Sequence, residues 1–186
     1  SLFGGRKYWA LAKMGEGVKL MGEDVVKPYL LLATSCDGSM ATSADLTTVR
    51  VVCNNTLRMS IGANGAKAKV KVPHNATFDP NEVKRQLGLI GGAWDNFVAE
   101  ATRLTGFKLD RDLAIQIVAD ELKAEWRRQD GSPMTNDEKF DASSVLRRII
   151  KLYDGEALGA EFKTSRGTGW GLVNAVTQYF DHEAGG

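Results

Sequence analysis

Lys27-Pro28-Tyr29-Leu30-Leu31-Leu32-Ala33-Thr34-Ser35, followed by Cys36-Asp37-Gly38-Ser39, is the stretch on which the fold class turns. The first nine residues read as a strand dense in leucine. Asp37-Gly38 supplies the positive φ that a tight primed hairpin turn requires. Met40 to Cys53 then alternates loosely and ends in Val49-Arg50-Val51-Val52-Cys53, so the two strands are expected to pair antiparallel. Upstream, Arg6 to Met14 and Val18-Lys19-Leu20 read as strands parted by Gly15-Glu16-Gly17, with another break at Gly22-Glu23-Asp24. Downstream, Asn54-Asn55-Thr56 is expected to cap a short helix through Ser60. Asn64-Gly65 marks a turn, and Lys67-Ala68-Lys69-Val70-Lys71-Val72 alternates as a half-solvated strand should, until Pro73 ends it.

From Asp79 the period changes to that of a helix. Asp79 is the cap, Pro80 takes the first helical position and Glu82 follows three residues after the cap. Val83, Leu87, Ile90, Trp94, Phe97, Val98, Ala101 and Leu104 form one apolar stripe that closes at Gly106. Gly88, Gly91 and Gly92 within it are expected to permit close helix packing. A second helix opens at Asp110 and carries Leu113, Ile117, Leu122 and Trp126. Gln129 to Asp137 reads as a loop. Asp141 or Ser143 caps a third helix through Leu152, and Thr168 caps a last one through Trp170, Val173, Val176 and Phe180. The expected fold is α+β. An antiparallel curved sheet in the N-terminal half (residues 6–72) is packed on one face by about four helices in the C-terminal half (79–182). Residues 1–186 form a single domain, mainly β over 1–78 and mainly α over 79–186.

The bulk composition is that of an ordinary globular chain. Lys+Arg is 24 and Asp+Glu is 23, so no net field announces a nucleic-acid or membrane partner. No apolar run reaches 18 residues, which excludes a spanning helix on hydropathy. No secretory signal opens the chain, and Cys36 and Cys53 are expected to be reduced thiols of a cytoplasmic protein. The chain starts without Met and in mid-pattern, as an excised part of a longer polypeptide or a chain freed of a tag would.

Catalytic and cofactor motifs are missing. There is no phosphate-binding glycine loop ending in Lys-Ser/Thr, no G-x-S-x-G and no H-E-x-x-H. His74 and His182 are too few for a histidine metal site. The main local signal is electrostatic. Leu46 to Phe78 contains no acidic residue but holds Arg50, Arg58, Lys67, Lys69 and Lys71. In a strand Lys67, Lys69 and Lys71 share one face, roughly 6.6 Å apart in succession. Such a row can neutralise consecutive phosphates of a single strand. The same row is also how an edge strand is guarded against aggregation. Stacking aromatics are not interleaved with these lysines, and Tyr8, Trp9 and Tyr29 on neighbouring strands are the ones available. Arg147, Arg148 and Lys151 form a second basic cluster, read by default as a solvated helix face.

Four segments carry a resemblance. They are Gly4-Gly5-Arg6-Lys7-Tyr8-Trp9-Ala10-Leu11-Ala12-Lys13; Lys27 to Leu32 with Asp37-Gly38-Ser39; Thr48 to Leu57; and Arg166-Gly167-Thr168-Gly169-Trp170-Gly171-Leu172-Val173-Asn174-Ala175-Val176-Thr177, running on to Tyr179, Asp181 and His182. In this order they resemble the phage/plasmid-like domain-of-unknown-function family, number nine-three-two. The resemblance implies a mobile-element gene of bacteria or their viruses, and it transfers no catalytic residue. Family members have a region before the Gly-Gly-Arg strand and continue past the Asp-His pair, so functions lodged there are expected to lie outside this chain. The hairpin, third strand and long helix are also similar to the core of ring-forming single-strand-annealing recombinases, a fold-level analogy.

Three functional readings follow. The first is a non-catalytic nucleic-acid-binding protein of a phage or plasmid, binding or annealing single-stranded DNA through Arg50, Arg58, Lys67, Lys69 and Lys71. It would be free of metal and small-molecule cofactor, would not engage a membrane, and is compatible with a homo-oligomer. The second is a protein-interaction module or host-defence antagonist whose lysine strand is only a guarded edge. The third is an enzyme with a site assembled from Asp37, Arg50, Asn54, Asp181 and His182.

Overall fold

The structure, a computed structural model, describes residues 7–39, 41–50, 56–58, 69–72, 80–122 and 125–184, with the backbone alone at 45, 56–58, 69–72 and 80–91. The strands are β1 (Lys7–Lys13), β2 (Val18–Leu20), β3 (Asp24–Ser35), β4 (Thr42–Arg50), β5 (Thr56–Arg58) and β6 (Lys69–Val72). The helices are α1 (Pro80–Gly106), α2 (Arg111–Glu121), α3 (Asn136–Ala142), α4 (Ser144–Lys151) and α5 (Gly169–Gln178), with π-helical turns at Leu152–Glu156 and Tyr179–Glu183. The fold is α+β, strands first and helices after.

β3 and β4 pair antiparallel from Val26↔Arg50 to Ala33↔Ser43. β1 pairs antiparallel with β3 over its whole length, Lys7↔Ser35 to Lys13↔Tyr29. On the other side, β4 takes β6 opposite Thr42 to Asp45 and β5 opposite Thr47 to Val49, so these two strands lie end to end along one edge. The sheet thus runs β1-β3-β4-β5, with β2 on β3 and β6 on β4.

Several local expectations are corrected. The β3–β4 connection is wider than a two-residue primed turn. Among the described residues there, Gly38 alone takes positive φ, and Asp37 instead accepts the Ser39 N–H at 3.0 Å in an Asx turn. The tight primed turn belongs to β2–β3, where Met21 (φ 47) and Gly22 (φ 82) are both left-handed and the Glu23 N–H donates to the Leu20 carbonyl at 3.2 Å. Thr56–Arg58 is a strand, not a helix, because pairing with β4 prevails over a cap that local sequence permits. A Cβ built at Gly92 meets nothing within 4 Å, so close packing does not explain that glycine.

The chain divides into two compact units, Ser1–Lys19 with Val25–Glu100, and Leu20–Asp24 with Ala101–Gly186. The division falls inside α1, and the Leu20–Asp24 turn belongs with the helices. In the first unit, Trp94 and Phe97 are half-buried and stack with ring centres 5.6 Å apart. The expected α1 positions Val83, Leu87 and Ile90 lie where the backbone alone is described.

The second unit is built on a dry aliphatic cluster that includes Ile115, Val118, Leu146, Ile149, Ile150, Leu152 and Leu172. α2 buries Ala114, Ile115, Val118 and Ala119 and leaves Leu113 and Ile117 exposed, so its expected stripe is out of phase with the buried face. α2 also ends at Glu121, short of Trp126, whose indole N–H donates to the Ala119 carbonyl at 2.9 Å. The segment read as a loop over 129–137 runs into α3, started by a capping box. Thr135 accepts from the Glu138 N–H, and Glu138 accepts from the Thr135 N–H. The Arg128 fork grips the Glu138 carboxylate at 2.8 and 2.6 Å and lowers its pKa to about 2. Ser143, rather than Asp141, caps α4.

The start of α5 closes a buried polar network in this unit. Thr168 caps the helix, its hydroxyl accepting from the Gly171 N–H at 3.1 Å and donating to the Thr164 carbonyl at 2.6 Å. The Trp170 indole N–H and the Thr164 hydroxyl both donate to Oδ2 of Asp24, at 2.9 and 3.0 Å. All four of Asp24, Thr164, Thr168 and Trp170 are buried. Gly171 is required by contact, since a Cβ there would stand 2.0 Å from the Ser165 carbonyl oxygen.

Candidate nucleic-acid interface

The register of four strands decides which of the expected contact residues come together. Directly opposed residues of an antiparallel ladder share a face. Trp9↔Ala33, Ala33↔Ser43 and Ser43↔Lys71 make one cross-strand row. Leu11↔Leu31, Leu31↔Asp45 and Asp45↔Lys69 make the next. Lys13↔Tyr29, Tyr29↔Thr47 and Thr47↔Arg58 make a third. The positions of Lys71, Lys69 and Arg58 on one edge therefore lie in the same rows as Trp9, Leu11 and Lys13 on the other. The two edges are three strand spacings apart, roughly 14 Å.

β1 supplies the exposed part of this face. Trp9 is 57% exposed, Leu11 is exposed beside it, and Tyr29 on β3 is half-buried. Between the edges the rows are closed on β4, where Ser43 and Thr47 are buried. Asp45, one residue before the acid-free stretch begins, holds the register position opposite Lys69. On the opposite face Tyr8, Ala10, Leu32, Thr34 and Thr42 border an open apolar hollow of about 240 Å³, and the Thr34 and Thr42 hydroxyls bond each other at 2.9 Å.

The other expected residues fare differently. Arg50 is opposed to Val26, outside these rows, and is 1% exposed, so it is not part of the solvent-facing surface. Lys67 and Asn54 lie outside the described residues, as does Cys53, whereas Cys36 is a free, exposed thiol. In the second basic cluster, Arg148 is held by carboxylates. Its fork meets Glu183 at 2.5 and 2.9 Å and its Nη1 meets Glu156, which drives the Arg148 pKa up and the Glu183 pKa down. The Arg147 guanidinium donates to the Asp141 carbonyl. Asp37 and Arg50 stand beyond and at opposite ends of the nine-residue β4, a strand roughly 30 Å long. Asp181 and His182 lie on the last π-helical turn, in the other unit. Among the described residues, no three His, Cys, Asp or Glu side chains gather as a metal site, and no helix is long and apolar enough to cross a membrane.

The sequence offers Tyr8, Trp9 and Tyr29 as stacking aromatics but leaves open whether Trp9 is core; the structure leaves Tyr8 and Trp9 exposed and Tyr29 half-buried. The segment from Arg166 to Thr177, which carried much of the family resemblance, is occupied in the Asp24 network and the cap of α5. No curated protein matches the chain, and no solved structure does, so the likeness to ring-forming recombinases finds no support. One family matches over residues 1–185, and the chain therefore belongs to the domain of unknown function (DUF932) family.

Proposed function

We propose that the protein is a non-catalytic binder of single-stranded DNA, encoded by a phage or plasmid and acting in the bacterial cytoplasm. The observation that carries this is the shared rows, with Lys71, Lys69 and Arg58 in register with Trp9, Leu11 and Lys13. That juxtaposition meets the two needs of a single-strand binder, cations for phosphates and an exposed aromatic for base stacking. The burial of Ser43 and Thr47 confines contacts to the two edges, bases along β1 and phosphates along β5 and β6.

The test is a salt-titrated binding measurement on single-stranded and duplex DNA. Replacing Arg58, Lys69 and Lys71 by Ala is expected to lower the salt slope by about 0.7 for each phosphate no longer neutralised. Trp9→Ala is expected to weaken binding about tenfold with little change of slope, since stacking is worth ~1–3 kcal/mol per base. A wild type that binds no DNA even at about 50 mM salt sinks the proposal.

A second reading, a protein-interaction module or host-defence antagonist, is favoured by the apolar hollow beside Tyr8 and Leu32 on the opposite face. It predicts that Tyr8→Ala and Leu32→Ala leave DNA binding untouched and abolish capture of a protein partner.

A further inference from the structure

β1, Lys7-Tyr8-Trp9-Ala10-Leu11-Ala12-Lys13, has a lysine at each end and a large apolar residue on either side of Ala10. Among the described residues it ends the strand order, and from Tyr8 to Lys13 every residue is exposed. The orientation of its backbone follows from one bond. The Met14 N–H donates to the Pro28 carbonyl at 3.0 Å, one step beyond the Lys13↔Tyr29 pair. Hydrogen-bonded and non-bonded pairs alternate along an antiparallel ladder. Ala12, Ala10 and Tyr8 therefore direct N–H and C=O groups at β3, and Lys7, Trp9, Leu11 and Lys13 direct theirs away from it. These outward groups are symmetric about Ala10.

We propose that β1 pairs antiparallel with β1 of a second copy of this chain, about a two-fold axis through Ala10. In that register Trp9 and Leu11 of the second copy exchange both backbone hydrogen bonds, and Ala10 faces Ala10 as a non-bonded pair. The outward groups of Trp9 and Leu11 each find an outward group. Tyr8, Trp9 and Leu11, all exposed in the single chain, gain apolar neighbours. The like charges brought together are partly offset. Lys7 of one copy falls opposite Lys13 of the other, and Lys13 already carries the Glu16 carboxylate at 3.2 Å, with that carboxylate 93% exposed. The carboxylate thus stands where two ammonium groups meet. A self-complementary patch of this kind is what a closed two-fold dimer needs. One seven-residue strand pair lies at the small end of stable interfaces, so the dimer is expected in the micromolar range.

Sedimentation of the intact chain from about 1 to about 100 μM is the first test, with a monomer–dimer transition expected inside that range. Leu11→Pro removes one outward N–H and leaves the β3 ladder whole, a substitution edge strands accept. It is expected to weaken the dimer at least tenfold with an unchanged circular dichroism spectrum. Ala10→Cys, with Cys36 and Cys53 replaced by Ser, gives an independent readout. A non-bonded pair has a Cα spacing of about 4.5 Å, within disulfide reach, so oxidation should yield a covalent dimer much faster than for Lys7→Cys. A wild type monomeric at about 100 μM, a Leu11→Pro dimer as tight as wild type, or equal cross-linking of the two cysteine variants would each overturn the proposal. None of these outcomes depends on DNA binding.

Discussion

The two units of the chain place their apolar side chains differently. The second gathers Ile115, Leu146, Ile149, Ile150 and Leu152 in one buried cluster, pairs polar groups around Asp24, and scatters its exposed Phe107, Leu113, Ile117, Leu158 and Phe180 over several elements. The first leaves Tyr8, Trp9, Leu11 and Leu32 exposed, while β4 buries Ser43, Thr47, Thr48 and Arg50. An aliphatic cluster with paired polar groups is what stability asks for. Exposed aromatics on an edge strand do nothing for the stability of a single chain, and they are what a binding surface asks for. On the proposed reading, the neighbouring exposed side chains of the first unit serve recognition, and the aliphatic cluster of the second serves stability.

The contrast breaks most readily at Gly171. Gly171→Ala puts a methyl 2.0 Å from the Ser165 carbonyl oxygen, where backbone has to move. A loss of about 4 kcal/mol or more is expected, read as a collapse of the melting temperature. If this variant melts like wild type, the α5 entry is not the tight joint described.

A matched pair of truncations sharpens the comparison. Ile149→Ala should destabilise by about 3 kcal/mol, because it leaves a cavity in a packed cluster. Leu11→Ala should change stability by no more than about 0.5 kcal/mol, because the side chain is already in solvent. Denaturant midpoints at low protein concentration decide it, and equal losses would erase the distinction between the units.

Tyr153 offers a pH probe of the buried cluster. Its hydroxyl donates to the Leu109 carbonyl at 2.5 Å, and burial, followed by the charges of Asp154 and Asp110, pushes its pKa up to about 12. The folded chain therefore favours the protonated phenol. Its contribution to stability is full below the ordinary value of 10.0 and is lost as pH climbs through about 12. In a phenolate absorbance titration, one of the four tyrosines should ionise late, and Tyr153→Phe should remove that step alone. Four tyrosines titrating together would contradict the burial.

A modest gain in stability is expected at the β2–β3 turn. Met21 holds a left-handed conformation at φ 47, which disfavours a non-glycine side chain. Asn tolerates that region, so Met21→Asn should stabilise by about 1 kcal/mol, a rise in melting temperature of roughly 3 °C. A fall would mean that the exposed Met21 side chain makes a contact outweighing the strain.

Legibility in the sequence followed the range of the interaction. Asp110, Ser143 and Thr168 announce helix starts correctly because a cap is a bond to a backbone three residues away. The capping box Thr135–Glu138 was equally local, but Gly131 and Pro133 beside it drew the whole segment into a loop. On α2 the large residues Leu113 and Ile117 misled. The buried face is drawn partly by Ala114 and Ala119, whose small side chains let other elements approach. The site was less legible than the fold. That Lys69 and Lys71 were cationic positions on a strand was readable from alternation and charge, whereas the strand at Arg58, read as a helix, and the alignment of all three with Trp9 depended on β3 and β4 in one particular register.

The amino-acid order alone determined the α+β class, the succession of strands before helices and the family. Each of these rests on side-chain periods of about two or 3.6 residues and on short-range caps. Only tertiary structure decided that Arg50 is buried, that β1 is an exposed edge, and that Asp24 receives the indole of Trp170 from 146 residues away. Those outcomes depend on strand register and on packing between distant segments. A shift of one residue in register turns every side chain of a strand to the other face, and nothing within the strand itself records which face will meet solvent.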